Sequence, residues 1–481
     1  TKGVGGAVFK SSSMEQRELL LPYPPPPAAH NSYGSSNDTI CSACGGGVKD
    51  SNVSGRRCEC PPEHPSLLRV VCLNAHAFNY GLFYASVGVL LFPEEALRMF
   101  PEQHAVFLAV MLMLAGISQL IAPVAGYFSD RCTSKHGRRI PFLVGGNVVL
   151  LVMVGLLYVA RSLLLGWAYL VLLFFAILAL NVAYTGFTGL VSDMIPQDQM
   201  GTASGIMGGL TALGAVVGLV SLGFAFPVSH AYAIYTIALI VTTPLTYWAA
   251  RDPPLDPSTV RRFDWAEVEH AYYISPSTHG DFFWVFLSRT FYYMAVSVQI
   301  YILYYLKDTM PEEIAVHAKS YTALLCILSQ AASGITSVMA PSLAEVIGRK
   351  PAIYFSCCVM AFVYIGYCLS PPWDYVVVLG ICYGIGNGVY ISVDYALACE
   401  CLPDSGSDGA KDLALWGVAA FLGTMFGPCV TGPLLAWLGH EDNSDHYAFI
   451  GYVAIMLCGV VYSVGCGLAL FNVTRGGVAA K

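Results

Sequence analysis

The chain has 481 residues, of which 56% are apolar and only 11% charged, with 24 Lys+Arg against 31 Asp+Glu and a mean hydropathy of +0.60. Soluble domains carry about a quarter charged residues, so this composition excludes an ordinary soluble protein. The net charge of −7 describes loops and tails, and gives no argument for nucleic acid or an acidic partner.

Residues 1–66 read as a disordered cytoplasmic tail, rich in Ser, Gly and Asn and holding the run Pro24–Pro27. Its four cysteines, Cys41-x-x-Cys44 and Cys58-x-Cys60, have spacings that permit a tetrahedral thiolate zinc site. The second pair departs from the usual Cys-x-x-Cys, and unstructured or lipid-modified thiols are the alternative. No other cofactor is expected. Glu15-Gln-Arg-Glu18-Leu19-Leu20 fits an acidic dileucine sorting signal, which points to a vacuolar or lysosomal membrane, with the plasma membrane as the other choice. The tail holds no apolar run of signal-peptide type. The first residue is Thr1, which leaves the natural start open.

From there the chain alternates between charge-free runs and short charged loops. No Asp, Glu, Lys or Arg occurs in 70–93, 103–129, 140–160, 162–192, 199–250, 320–344, 351–373, 375–393, 413–440 or 446–474. Each is long enough to cross a bilayer, which needs roughly 20 apolar residues. Dividing 199–250 at Pro227-Val-Ser-His230 and adding the run from Phe282 to Leu306 predicts twelve helices. They lie near 67–92, 103–128, 140–160, 164–191, 202–226, 230–250, 282–306, 318–341, 351–370, 374–398, 413–437 and 447–471. Apolar composition continues all round each segment, which favours helices over a barrel. Glycine faces, Gly201, Gly205, Gly209 and Gly208, Gly214, Gly218, predict close helix packing.

Even-numbered loops hold Arg131, Lys135, Arg138, Arg139, Arg251, Arg261, Arg262, Arg349, Lys350 and Lys411, whereas odd-numbered loops are poor in Lys and Arg. Both termini are therefore expected in the cytoplasm. Six tryptophans, 167, 248, 284, 373, 416 and 437, fall at span ends, as an interfacial aromatic belt would place them. The domains read as 67–250 and 282–471, two six-helix bundles, joined by a central cytoplasmic loop 251–281 and followed by a tail 472–481.

The two bundles repeat one design. Gly126-Tyr-Phe-Ser-Asp130-Arg131 with Gly137-Arg138-Arg139-Ile-Pro141 matches Glu345-Val-Ile-Gly348-Arg349-Lys350-Pro351. Asp193-Met-Ile-Pro196 matches Glu400-Cys-Leu-Pro403 at an offset of 207. A six-plus-six duplication is the layout of the major facilitator fold. The longer run Ser129-Asp130-Arg131-Cys132-Thr133-Ser134-Lys135-His136-Gly137-Arg138-Arg139-Ile140-Pro141-Phe142 resembles the signature of the sucrose/proton symporters, neighbours of the glycoside-pentoside-hexuronide:cation symporters. Arg289, Asp394 and the segment Ala410-Lys411-Asp412-Leu413 look like bacterial members of that group.

The resemblance implies an all-α membrane protein with the major facilitator fold, in which spans 1, 4, 7 and 10 line a central cavity. Polar groups inside the membrane are then candidates for function. Span 1 offers His76, Asn79, Tyr80 and Tyr84; span 4, Asn181 and Tyr184; span 7, Tyr292 and Gln299; span 10, Tyr383, Asn387 and Tyr390. Amides, phenols and aromatic faces suit a neutral polyhydroxyl ligand. Asp130, Arg131, Arg138, Arg139, Glu345 and Arg349 are the candidate gate, in which Asp130 can pair with Arg138 or with the dipole of a neighbouring helix. Arg289 and Asp394, the two charges well inside predicted spans, are expected to pair as an inner gate that breaks when the cavity opens inward, the alternatives being a permanent structural bridge or an interfacial Asp394 that reaches water.

Energy coupling departs from the resemblance. The sucrose symporters hold their proton on an acid in span 4, and 164–191 has none. His76 and Asp394 are the candidates instead, and facilitated diffusion without an ion is the alternative. The expected function is secondary transport of a neutral sugar, a hexose or a sucrose-like disaccharide, with proton symport, by a monomer in the lipid bilayer. No Walker-type phosphate loop or catalytic motif points to a pump or an enzyme. The rivals are a carrier of another small solute (vitamin, amino acid or drug) and a non-transporting sensor.

Overall fold

The computed structural model describes residues 65–196, 199–250, 252, 254–255, 280–401, 409–441 and 446–474. The cysteines at 41, 44, 58 and 60, the dileucine motif and the loop around Trp265 lie outside them.

Among the described residues twelve long helices follow in chain order. They are α1 (Leu67–Met99), α2 (Pro101–Asp130), α3 (Ile140–Ser162), α4 (Gly166–Met194), α5 (Met200–Ala225) and α6 (Val228–Ala249), then α7 at 280–309, α8 (Ala318–Ile347), α9 (Arg349–Cys368), α10 (Trp373–Cys401), α11 (Gly409–Leu438) and α12 (Phe449–Phe471). Eleven are long and apolar enough to cross a bilayer. The remaining one, α7, carries Asp281, Arg289, Lys307 and Asp308, and breaks into Gly280–Val298, a 3-10 turn Gln299–Tyr301, and Ile302–Thr309.

Several helices outrun their expected ends, and α1 matters most. It was expected to stop at 92, before Pro93, yet it continues to Met99. A π-turn at Val87–Leu91, closed by the Phe92 N–H on the Val87 carbonyl, comes immediately before the proline. The shifted register places the missing Pro93 donor at a junction where it breaks no α-helical ladder. Glu95 is thereby carried inside a spanning helix.

Close packing within each half is made by glycine, and the two halves make it alike. Gly214 and Gly218 of α5 meet the backbone of α1 at Phe78 and Leu82. In the second half Gly423 and Gly427 of α11, 209 residues on from that pair, meet Thr290 and Met294 of α7. Small residues let helix backbones approach where lipid supplies no hydrophobic drive. The wider glycine expectation is corrected in part: Gly201, Gly205, Gly208 and Gly209 face open space. These four lie toward the even-loop end of α5, where the halves have parted.

Between the halves, α2 packs on α11, where Gly116 meets Met425 and Gly432 meets Ala105. The odd-loop end of α5 packs on α8, where the Ser320 hydroxyl donates to the Gly223 carbonyl at 2.7 Å. Among the described residues, the hydrogen bonds and ring contacts that cross between the halves cluster toward the odd-loop ends. At the other end the open glycines of α5 mark the side on which the cleft between the halves opens.

Gly214→Val and Gly423→Val each force a side chain against a neighbouring backbone and are expected to cost about 1–3 kcal/mol. Gly205→Ala, in open space, is expected to be neutral. Thermal melting of detergent-purified protein checks this; equal melting points for all three would reject the packing role.

Candidate functional site

A cavity of about 420 Å³ lies between the halves. Its polar lining comprises Tyr80, Tyr84, Gln119, Tyr169, Asn181, Tyr232, Tyr235, Tyr293, Ser297, Gln299, Ser329, Gln330, Tyr367, Tyr383, Asn387 and Thr424. The rest is aliphatic or aromatic, and no Asp, Glu, Lys, Arg or His is among the lining residues.

Six of the residues expected from sequence line it: Tyr80, Tyr84, Asn181, Gln299, Tyr383 and Asn387. Tyr184 flanks it, stacked on Tyr80 at 3.9 Å between ring centroids. Tyr292 and Tyr390 stand behind the wall, stacked at 3.4 Å. The Tyr292 hydroxyl donates to Asn387 Oδ1 at 3.0 Å, which orients the amide toward the cavity. The duplication reaches this level too. Asn181 donates to Ser118 at 3.3 Å in one half, and Asn387 donates to Ser333 at 3.4 Å in the other. Each cavity amide is thus held by a serine from a neighbouring helix.

His76 and Asn79 are corrected. Both are fully buried and outside the lining, and His76 packs edge-on against Phe187 of α4 at 5.3 Å. At 3.6 residues per turn, His76 and Tyr84 are roughly 80° apart around the helix. A stripe drawn over three turns therefore spans two faces, and only the Tyr80–Tyr84 face meets the cavity.

The even-loop ends carry the gate candidates. Asp130 pairs with Arg139 at 2.5 Å, where Arg138 or a helix dipole had been the candidates; Arg138 and Arg139 both reach Asp193, each at 2.9 Å. Arg131 stacks over Tyr127 at 3.5 Å. The Asp252 carboxylate, absent from the residues expected to form the gate, accepts from the backbone N–H of Arg139 at 2.5 Å and of Ile140 at 3.1 Å. It caps the α3 N-terminus, where a negative charge is favoured. Gly137, at φ +101°, makes room for it. In the other half Arg349 pairs with Glu400 at 2.6 Å, and Glu345 is exposed and in none of the ion pairs found among the described residues. The two loop pairs matched by sequence therefore touch one another within each half, Arg138 to Asp193 and Arg349 to Glu400.

Arg289 and Asp394 form a buried ion pair. The guanidinium also lies over the Trp416 ring at 3.5 Å and over Tyr293 at 4.9 Å. Trp416 is thus turned onto a charge instead of serving only as an interfacial anchor. The pair joins α7 to α10 inside one half.

At the opposite end the halves are sealed. The Tyr304 hydroxyl donates to the Pro93 carbonyl at 2.8 Å, and the Ala105 N–H donates to the Tyr447 hydroxyl at 3.1 Å. The His104 ring lies 4.5 Å from both Tyr304 and Tyr447. Buried Asp308 holds the second half of this seal, accepting from the Tyr447 N–H at 3.0 Å and the Tyr452 hydroxyl at 2.5 Å. Beside it, Glu95 of α1 pairs with Arg161 of α3. Both acids lie beyond the expected span ends at 92 and 306, within helices that run on to Met99 and Thr309.

Removing one partner of a buried pair strands a charge, at about 3–5 kcal/mol. Arg289→Ala and Asp394→Ala are each expected to lower the melting point strongly, and the double apolar variant Arg289→Met with Asp394→Leu to recover most of the loss. Strictly additive losses would reject the pairing.

The model of the Major Facilitator Superfamily matches residues 20–219 and 282–480. Over 49 residues the chain is 41% identical to the sucrose transport protein SUC4 of Arabidopsis thaliana, a stretch that is 10% of this chain and 9% of that protein. The nucleoside transporter NupG, in an alanine variant, superposes with a TM-score of 0.65 at 13% identity, over 85% of this chain and 100% of that one. A bacterial homolog of the human lysosomal transporter Spinster, solved inward-facing and occupied, gives 0.63 at 13% identity, over 85% of this chain and 96% of that one. The peptide transporter POT, in complex with sulfate, gives 0.60 at 11% identity, over 86% and 96%. These likenesses are of fold. With its two halves matched separately and its helices packed as a duplicated pair, the chain belongs to the Major Facilitator Superfamily.

Proposed function

We propose that this transporter of a small solute carries a neutral sugar, a hexose or a sucrose-like disaccharide, in symport with protons. The observation that carries the reading is the lining: phenols and amides from both halves, aromatic faces, and no charge among the lining residues. A polyhydroxyl ligand needs many donors and acceptors, which Asn181, Asn387, Gln119, Gln299 and Gln330 supply in both senses. It also needs a flat apolar surface for its C–H face, which the Tyr80–Tyr184 stack offers. An ionic substrate would find no countercharge there. The volume of about 420 Å³ falls in the range of ligand pockets, roughly 300–1,000 Å³. The short identity with a sucrose transport protein agrees with this choice.

The Lys/Arg asymmetry supports a cytoplasmic location for the even loops, so the described state is read as inward-facing. Each half moves as a braced body, and transport consists of opening the odd-loop seal while the even-loop ends close on the loaded cavity.

Uptake of labelled sucrose, maltose and glucose by cells lacking their own carriers tests the reading. Accumulation of at least one is expected. Asn181→Ala and Asn387→Ala are each expected to raise its KM about 3- to 10-fold, the worth of a hydrogen bond of roughly 0.5–1.5 kcal/mol. Transport of none of the three, with uptake of a nucleoside, peptide or vitamin, would reject the sugar assignment.

A further inference from the structure

The acid that span 4 lacks is present elsewhere. We infer that Glu95, near the end of α1, is the proton-carrying group, and that its protonation is tied to the odd-loop seal through the turn of helix it sits on. This deepens the symport reading above and rests on it.

The side chain of Glu95 is 1% exposed. One carboxylate oxygen takes Arg161, while the other, Oε2, is buried without a hydrogen-bond partner. A buried carboxylate that is only half satisfied is costly in its ionised form. A proton on Oε2 converts the orphan acceptor into a donor. Two phenols, Tyr169 of α4 and Tyr232 of α6, are within electrostatic reach of Glu95 and hydrogen-bonded to one another at 2.8 Å. Both line the cavity, so they connect the acid to the space that opens on the even-loop side. The other charged or titratable groups around it are Glu94 and Arg98 on its own turn and Arg161 on α3, with His104 at the start of the packed α2.

The same turn carries the seal. Pro93 accepts from Tyr304 of the opposite half, and Glu94 is within electrostatic reach of Lys307 and Lys319, also of the opposite half. Three successive residues thus face the partner half, the partner half and the buried ion pair. When the seal parts, water from that side reaches Glu95 and one proton adds to Oε2; the pair changes from net zero to net +1, and the hold on Arg161 weakens. When the seal closes, the proton leaves for cavity water and the Glu95–Arg161 pair re-forms. That paired state is the one the structure records.

Two measurements on the full chain in lipid nanodiscs and proteoliposomes test this. In infrared difference spectra after an acid jump, with no solute present, the wild type is expected to show a carboxylic-acid carbonyl band that is lost in Glu95→Gln and displaced in Glu95→Asp. In flux assays Glu95→Gln is expected to keep solute counterflow and lose solute-driven proton entry. An unchanged band in Glu95→Gln, or proton entry that survives in that variant, overturns the inference. Glu95→Asp guards against misfolding of the glutamine variant: it must retain proton entry. Failure of the sugar reading alone would look different, because the carbonyl band needs no solute. A wild type that takes up sugar without moving protons would overturn the coupling while leaving the sugar assignment intact.

Discussion

A charge inside hydrocarbon must find its partner inside the protein, and that constraint organises this molecule. Among the described residues, Arg289 with Asp394, and Glu95 with Arg161, are the buried pairs of the spanning helices. Each joins two helices of one half. The loop pairs do likewise, Arg138 and Arg139 with Asp193 and Arg349 with Glu400. Ionic interactions therefore brace the halves internally, together with the glycine contacts of α5 on α1 and of α11 on α7. What holds one half to the other is weaker and more readily exchanged: neutral hydrogen bonds from Tyr304, Ala105 and Ser320, rings packed about His104, and the exposed Lys319 donating to the Phe226 carbonyl at 3.4 Å. A body whose strong bonds lie within its halves and whose weak ones lie between them is built to rock.

Much of this was legible in the sequence because the bilayer makes few demands and makes them loudly. Charge-free runs marked the helices, and the loop motifs offset by 207 marked the duplication. The contacts Arg138–Asp193 and Arg349–Glu400 then show why those loops resemble one another: each supplies the partner of the other within its own half. The Arg289–Asp394 contact was legible because both charges lie at similar depth in regions otherwise free of charge.

Other features were hidden for physical reasons. A proline usually ends a helix, and Pro93 does not, because a π-turn absorbs its missing donor. Nothing in the local sequence declares that turn, so Glu95 was assigned to a loop. His76 was misplaced because periodicity gives the angle between residues and not the direction of the cavity; that direction depends on which helices α1 packs against. Asp252 lies 113 residues from the backbone N–H of Arg139 that it caps, so no sequence window contains both.

The separation of duties within the cavity follows from the same electrostatics. A neutral ligand surface is best built from groups that both donate and accept without carrying charge, and the two halves contribute related amides, Asn181 and Asn387, each fixed by a serine. A titrating group placed among them would change the ligand field each time it took a proton. Glu95 sits outside the lining, behind Tyr169 and Tyr232, and adjacent to the seal. If Glu95 carries the proton, as inferred above, its charge would act on the closure of the protein and leave the solute-facing surface the same in both protonation states, so that proton and solute would communicate through the position of the halves and not through competition for one site.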